Sequence, residues 1–281
     1  QCSTPVLYFN KAAFEKAGIK AAPTNWTELE AAAKALTQRQ GDTVSQWGLT
    51  IGGGWHDWIF ESFVRQNGLV FWTKDKVAFD APESVHALEF WQRMAQARLM
   101  PAASTWESSA NDFMAGRTAM LYHSTGSMTN ILKSASFPVG VAPMPKGKQL
   151  GSTMGGGPIL IAKKQPDAHK RAAWTFARWM TNTANQAQWC VDTGYLAARK
   201  SSWETPVLKA HVAKQPEART AFVTAEVAGA FLQVPGYHKV RAHLQSAIDR
   251  TLAGEVQPDA ALREATAKSN LEIQRLSRRR G

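Results

Sequence analysis

With 281 residues, 33 Lys and Arg against 22 Asp and Glu, and 44% hydrophobic residues, the chain has ordinary globular usage and length for one large domain or two lobes. Its longest apolar runs fall well short of the ~20 residues that cross a bilayer as a helix, which excludes a helical membrane span. The net charge of +11 is spread along the helical stretches and concentrates only at Arg275 to Arg280, where cations suit a helix C-terminus, so no nucleic-acid partner is expected.

The first element is a strand, Pro5 to Phe9, followed by a helix from Ala12 to Ala17 that Gly18 ends. The next helix starts at Asn25, with Glu28 three residues on as a capping box, and Gly41 stands where it stops. "QWGLTIGGGW" reads as a short strand opening into a glycine loop, and "HDWIFESFVRQ" as a helix up to Asn67 and Gly68. A further helix begins near Pro82 and Glu83 and ends before Pro101. "SANDFMAGRTAMLYHSTGS" gives a helix, a turn at Gly116, a strand from Thr118 to Tyr122 and the polar loop Ser124 to Ser127. "FPVGVAPMP" is another strand, and "GKQLGSTMGGG" is a flexible crossing into a strand expected at Pro158 to Ala162. Helices then cover "PDAHKRAAWTFARWMT" and "NQAQWCVDT", with a turn at Gly194, and from Thr205 onward the chain is almost wholly helical. Strands alternating with helices, without internal repeats, make the chain α/β.

Chemistry-bearing residues are few. Cys2 and Cys190 have neither C-x-x-C spacing nor histidines at ligand spacing, so no metal is expected, and no cofactor either. A basic head and apolar export signal are absent from the first residues, which leaves a cytosolic chain or one whose beginning lies further upstream. No G-x-S-x-G elbow occurs, and Gly147-Lys148-Gln149 lacks the spacing and hydroxyl of a phosphate loop. Asp57 and Glu61 lie one helical turn apart and could serve as a glycoside hydrolase pair, although such pairs are ordinarily surface residues. Binding features are more numerous. Trp26, Trp55 and Trp58 stand at loop and helix starts, where rings flank the C–H faces of glycerol or sugar. The run Gly155 to Gly157 lets backbone N–H groups approach an anion, or simply supplies a flexible hinge. Arg241 offers a planar fork for phosphate oxygens, or is an ordinary solvated residue.

In their order along the chain, "STPVLYFNKAAFEKAGI", "TNWTELEAAAKAL", "NDFMAGRTAML", "KRAAWTFARWMT" and "TGYLAARKS" resemble the extracellular solute-binding proteins of ABC importers, the maltose-binding-like group. The likeness covers the whole chain, and the S-T-P-V-L-Y, G-W-x-x-W, S-x-G-S and T-G-Y-L motifs are similar to those of members that take sn-glycerol 3-phosphate. It implies a two-lobe type II periplasmic-binding-protein fold, a periplasmic or extracellular location, a small-molecule ligand and ABC permease subunits as partners. Ser3, Ser124 and Tyr195 match family positions whose hydroxyls contact the ligand, Ser127 is a neighbour of that set, and Gly156 and Arg241 are implied at the phosphate. The departures His123, Pro158 and Cys2 leave a glycerophosphodiester as plausible as the monoester, with a neutral oligosaccharide as the alternative.

The resemblance also divides the chain. Residues 1–150 are expected to form a C-terminal α/β lobe entered through a hinge strand, 151–204 a hinge crossing and a partial N-terminal lobe, and 205–281 closing helices that belong mainly to the C-terminal lobe. It further implies that about the first third of the family pattern lies ahead of Ser3. The rings of Trp174, Phe176, Trp179 and Trp189 are therefore expected to face water, and ligand to close the lobes about Ser3–Tyr8 and Gly155–Ile161.

Overall fold

The computed structural model describes residues 1–278; Arg279 and Arg280 of the basic tail lie outside the described residues. The chain begins with β1 (Cys2–Ser3), β2 (Pro5–Asn10) and α1 (Lys11–Lys16), whose N-cap Asn10 accepts from the Ala13 amide. α2 (Trp26–Leu36) follows, then a hairpin of β3 (Gln38–Gln40) and β4 (Thr43–Gln46), and β5 (Thr50–Ile51). α3 (His56–Gln66), the small hairpin β6 (Trp72–Thr73) and β7 (Lys76–Val77), α4 (Pro82–Gln96) and α5 (Trp106–Met114) lead to β8 (Met120–Ser124). After α6 (Met128–Ser134) come β9 (Val139–Ala142), β10 (Ser152–Gly156), α7 (Asp167–Met180) and α8 (Thr183–Thr193). The last elements are α9 (Pro206–Lys214), α10 (Glu217–Glu226), β11 (Ala228–Ala230), α11 (Tyr237–Leu252) and α12 (Pro258–Arg278).

The main sheet has the order β5, β8, β2, β9, with β2 antiparallel to both neighbours and Pro5 opposite Ser124. Central position explains the composition of β2: both of its faces are covered, so it reads as an unbroken apolar run. On one face Leu7 and Tyr122 pack with Phe60 and Phe63 of α3, Trp91 of α4, Leu244 and Ile248 of α11 and Leu262 of α12. On the other, Val6, Tyr8 and Leu121 meet Phe113 of α5, Met128 and Ile131 of α6 and Ala221 of α10. A three-layer α/β core results. The second sheet, β1, β10, β11, is narrow, and β1 runs antiparallel to β10.

Three expectations are corrected. α2 stops at Leu36, not near Gly41: Thr37 is already extended, the Gln46 side chain donates to the Leu36 carbonyl at 2.7 Å, and Gly41 serves the β3–β4 turn with φ +60°. α5 begins at Trp106, ahead of the expected start, because Thr105 and Ser108 cap each other reciprocally. The strand expected at Pro158 to Ala162 does not form. Sheet pairing ends at Gly156, whose φ of +132° turns the chain out of the ladder, and Pro158 has no N–H to extend it. Residues 158–162 are exposed, Leu160 by 84%.

α7 carries a clear apolar stripe but buries no residue; Trp174, Phe176 and Trp179 are between 56 and 59% exposed. Trp189 differs from the expectation: it is half-buried, since α8 packs through Ala187 and Cys190 against Leu208 of α9.

Candidate functional site

Both sheets and three helix starts converge on one cavity of about 370 Å3. Ser3 reaches it from the β1–β2 crossing, and Ser124 and Ser127 from the turn after β8. Gly155, Gly156 and Gly157 come from the end of β10, and Tyr195 from the segment after α8. Trp55 and Trp58 open α3, Trp106 opens α5, Phe231 follows β11 and Tyr237 opens α11.

The glycines are required by what passes close to them. A Cβ on Gly155 would stand 2.9 Å from the Trp58 ring and 3.2 Å from Ser3 Oγ. On Gly156 it would meet the Gln1 carbonyl at 2.1 Å, in a backbone conformation that L side chains rarely adopt. A Cβ on Gly126 would stand 2.5 Å from the Tyr195 ring. Gly156 pairs with Cys2 at the edge of the narrow sheet, and the same residue lines the cavity.

Hydroxyl chemistry is partly committed to the fold. Ser124 Oγ accepts from the Gly126 amide at 3.0 Å, and the Ser124 carbonyl accepts from Tyr8 at 2.8 Å. Trp58 Nε1 is buried without an acceptor among the described residues, an unsatisfied donor on a cavity-lining side chain. Trp106 packs on His123 with centroids 3.6 Å apart, and burial pushes the His123 imidazole down to about 4, with a hydrogen bond to the Trp106 carbonyl opposing the shift.

Two sequence candidates sit differently from expectation. Trp26 is outside the cavity: it is 8% exposed, donates from Nε1 to Gln66 at 2.7 Å, and stacks with Phe90 in the main core. Its place at a helix start was shared with the cavity tryptophans, but α2 turns its first residue inward. Arg241 lies behind the cavity wall, its guanidinium 3.9 Å from the Trp55 ring centroid. Its Nε donates to Asp57 Oδ2 at 2.9 Å and Nη2 to Asp57 Oδ1 at 3.1 Å, and Nη2 also donates to the Gly54 carbonyl. Gln245 donates to both Asp57 Oδ1 and the Gly54 carbonyl at 2.8 Å. The fork foreseen for phosphate is therefore turned largely onto a carboxylate.

Nor are Asp57 and Glu61 available as a hydrolytic pair. Glu61 accepts from Arg65 at 2.9 Å, from Trp72 Nε1 at 2.8 Å and from the Leu232 amide at 2.9 Å, and burial raises its carboxyl above the ordinary range despite those partners. The Tyr237 hydroxyl is raised first by burial, with Asp57 and Glu61 adding to the shift and Arg241 opposing it. Sequence reasoning missed Trp106, Phe231 and Tyr237. The missing signal was the cap at Thr105 for the first, while the other two are brought in by contacts more than 150 residues distant in sequence.

The family model for bacterial extracellular solute-binding proteins matches residues 1–218. The chain belongs to that family. The sn-glycerol-3-phosphate-binding periplasmic protein UgpB of Escherichia coli K12 is 26% identical to this solute-binding chain over 301 aligned positions, covering 98% of it. The chain spans 66% of that relative's length. Among solved structures, UgpB of Mycobacterium tuberculosis in complex with glycerophosphocholine superposes with a TM-score of 0.86 at 24% identity, covering 98% of this chain and 70% of the other. The GacH receptor of Streptomyces glaucescens, solved unliganded and with acarbose, gives a TM-score of 0.83 at 21% identity, covering 97% and 70%. These bear out the expected solute-binding family and the two-lobe α/β periplasmic-binding-protein fold. Membership of an extracellular family with periplasmic relatives agrees with the expected location, and no described helix is long and apolar enough to cross a membrane.

Proposed function

We propose that the chain is the substrate-binding component of an ABC importer, capturing sn-glycerol 3-phosphate or a glycerophosphodiester and delivering it to membrane permease subunits. The observation that carries this reading is the cavity itself, where six aromatic rings, three serine hydroxyls and a triple-glycine backbone face one space. Rings cover a glycerol skeleton, hydroxyls meet its OH groups, and glycine N–H groups cradle a phosphate without side chains in the way. Ser3, Ser124, Gly156 and Tyr195 are the proposed polar contacts, with Trp55 and Trp58 as the flanking rings and Arg241 acting from behind Trp55. Similarity to the glycerol-3-phosphate-binding relatives supports the same ligand class. No bond of the ligand is made or broken in this reading, and no cofactor or metal takes part. The proposed organisation keeps residues 1–150 as one lobe, 151–204 as crossing and partial second lobe, and 205–281 as closing helices, with the ligand between lobes.

A neutral-sugar reading competes, because rings and hydroxyls also suit an oligosaccharide and the Streptomyces neighbour was solved with acarbose. Calorimetric titration separates the two. Saturable binding of glycerophosphocholine or sn-glycerol 3-phosphate, with no heat from maltose, is the expected result; binding of maltose alone overturns the proposal.

A further inference from the structure

The charge felt in the cavity is set one layer behind its wall. Rings, hydroxyls, glycine backbone and Gln1 line it, and no charged side chain is among these lining residues. Behind stand two ion pairs on successive turns of α3: Asp57 with Arg241, and Glu61 with Arg65. Two carboxylates and two guanidiniums sum to zero. Both Asp57 and Glu61 are buried, and Arg241 and Arg65 are nearly so, which means that water screens these pairs little. The Asp57 carboxylate meets Arg241 through two parallel donors and is fixed from the side by Gln245. Arg241 in turn covers the back of Trp55, whose ring lines the cavity.

We infer that Asp57 is a specificity-determining residue of this site: by neutralising Arg241 behind Trp55 it tunes the cavity to a glycerol phosphodiester of low net charge over a doubly charged phosphomonoester. This rests on the glycerol-phosphate reading above. A phosphomonoester carries nearly two negative charges at neutral pH, and taking it out of water demands a compensating field. A paired Arg241 supplies ring support and little net field. A diester carries one negative charge, which a choline group cancels, so hydrogen bonds from glycine amides and hydroxyls suffice. Asp57 acts through Arg241 and Trp55 and is in this sense a positioning residue.

The test titrates the wild-type chain, Asp57→Asn, Arg241→Gln and the double variant with both changes, using sn-glycerol 3-phosphate and glycerophosphocholine at low salt and pH 7.5. The readout is the ratio of the two affinities. Wild type favours glycerophosphocholine. Asp57→Asn leaves the guanidinium uncompensated and moves the ratio toward the monoester by about tenfold, an effect that added salt diminishes. Arg241→Gln moves it the other way, and the double variant, whose net charge equals that of wild type, keeps the wild-type ratio even where absolute affinity falls. A ratio constant across all four proteins, with affinity for both ligands lost together, overturns the inference and leaves the glycerol-phosphate reading standing. Wild type that binds neither ligand removes that reading and the inference with it. Should Asp57→Asn fail to fold, Arg241→Gln and the double variant decide alone: an unshifted ratio in Arg241→Gln overturns the inference.

Discussion

α3 and α7 have similar sequence character and opposite fates. Each is a helix of aromatic and polar residues in helical alternation, yet α3 buries ten of its eleven residues between the sheet, α4 and α11, whereas α7 buries none of its fourteen. Phe60 and Phe63 of α3 are edge-on to Trp91 at 5.4 and 5.2 Å. In α7, Phe176 and Trp179 stack only on one another, at 6.2 Å, with their outer faces in water. An apolar stripe in a sequence thus states that a helix has a face to bury, and leaves open which element covers it.

The largest expected effects break that comparison directly. Trp91→Ala, at a fully buried site between α3 and α4, should cost about 3–5 kcal/mol in urea unfolding, as should Trp26→Ala for the same reason. Trp174→Ser and Trp179→Ser should lie within about 0.5 kcal/mol of wild type and lessen self-association on a sizing column. A large loss of stability from the α7 pair would mean that their rings are covered in solution.

Next in size is a pH effect from His123. Burial holds its folded form near 4, while the unfolded imidazole titrates near 6.5. Between those values the unfolded state binds the extra proton, so this residue's contribution makes stability rise with pH across that window, by up to about 3 kcal/mol. Glu61 contributes with the opposite sign, because its raised carboxyl binds a proton more readily when folded. The difference between wild type and His123→Phe isolates the histidine: the wild-type unfolding free energy should fall faster than that of the variant from pH 6.5 to 4. Parallel curves would contradict the buried neutral imidazole.

Gly156→Ala sharpens the comparison at the crossing between regions. A Cβ there collides with the Gln1 backbone in a left-handed conformation, so about 1–3 kcal/mol of stability should be lost together with ligand affinity. Of similar size is Arg241→Lys, which keeps the charge but loses the two-nitrogen grip on Asp57 and the flat stack on Trp55. It should lower Tm by a few degrees and weaken glycerophosphate binding by roughly tenfold. The stability loss follows from the ion pair, which an isolated arginine on a solvated helix would lack.

Local chemistry made much of the architecture legible. Asn25 with Glu28, Pro82 at a first turn and Gly194 in the left-handed cap place helix ends that the structure reproduces. The hairpins Gln38–Gln46 and Trp72–Val77 were not legible, since their strands are too short and polar for a period-two signal. The site was half legible. Ser3, Trp55, Trp58, Ser124, Gly156 and Tyr195 do converge on one cavity, whereas Trp26 goes to the core and Arg241 to a carboxylate behind the wall. What separates these outcomes is which way α2 and α11 turn on docking against α3, a tertiary fact that no local spacing carries.

The central claim is that this cavity, lined from both sheets, is where ligand sits. Crystals of the chain soaked with glycerophosphocholine test it most directly. The account predicts ligand density bounded by Trp55, Trp58 and Tyr195, with the phosphate against the backbone of Gly155 to Gly157. Density seated elsewhere, or an empty cavity at a ligand concentration that saturates binding in solution, would contradict it.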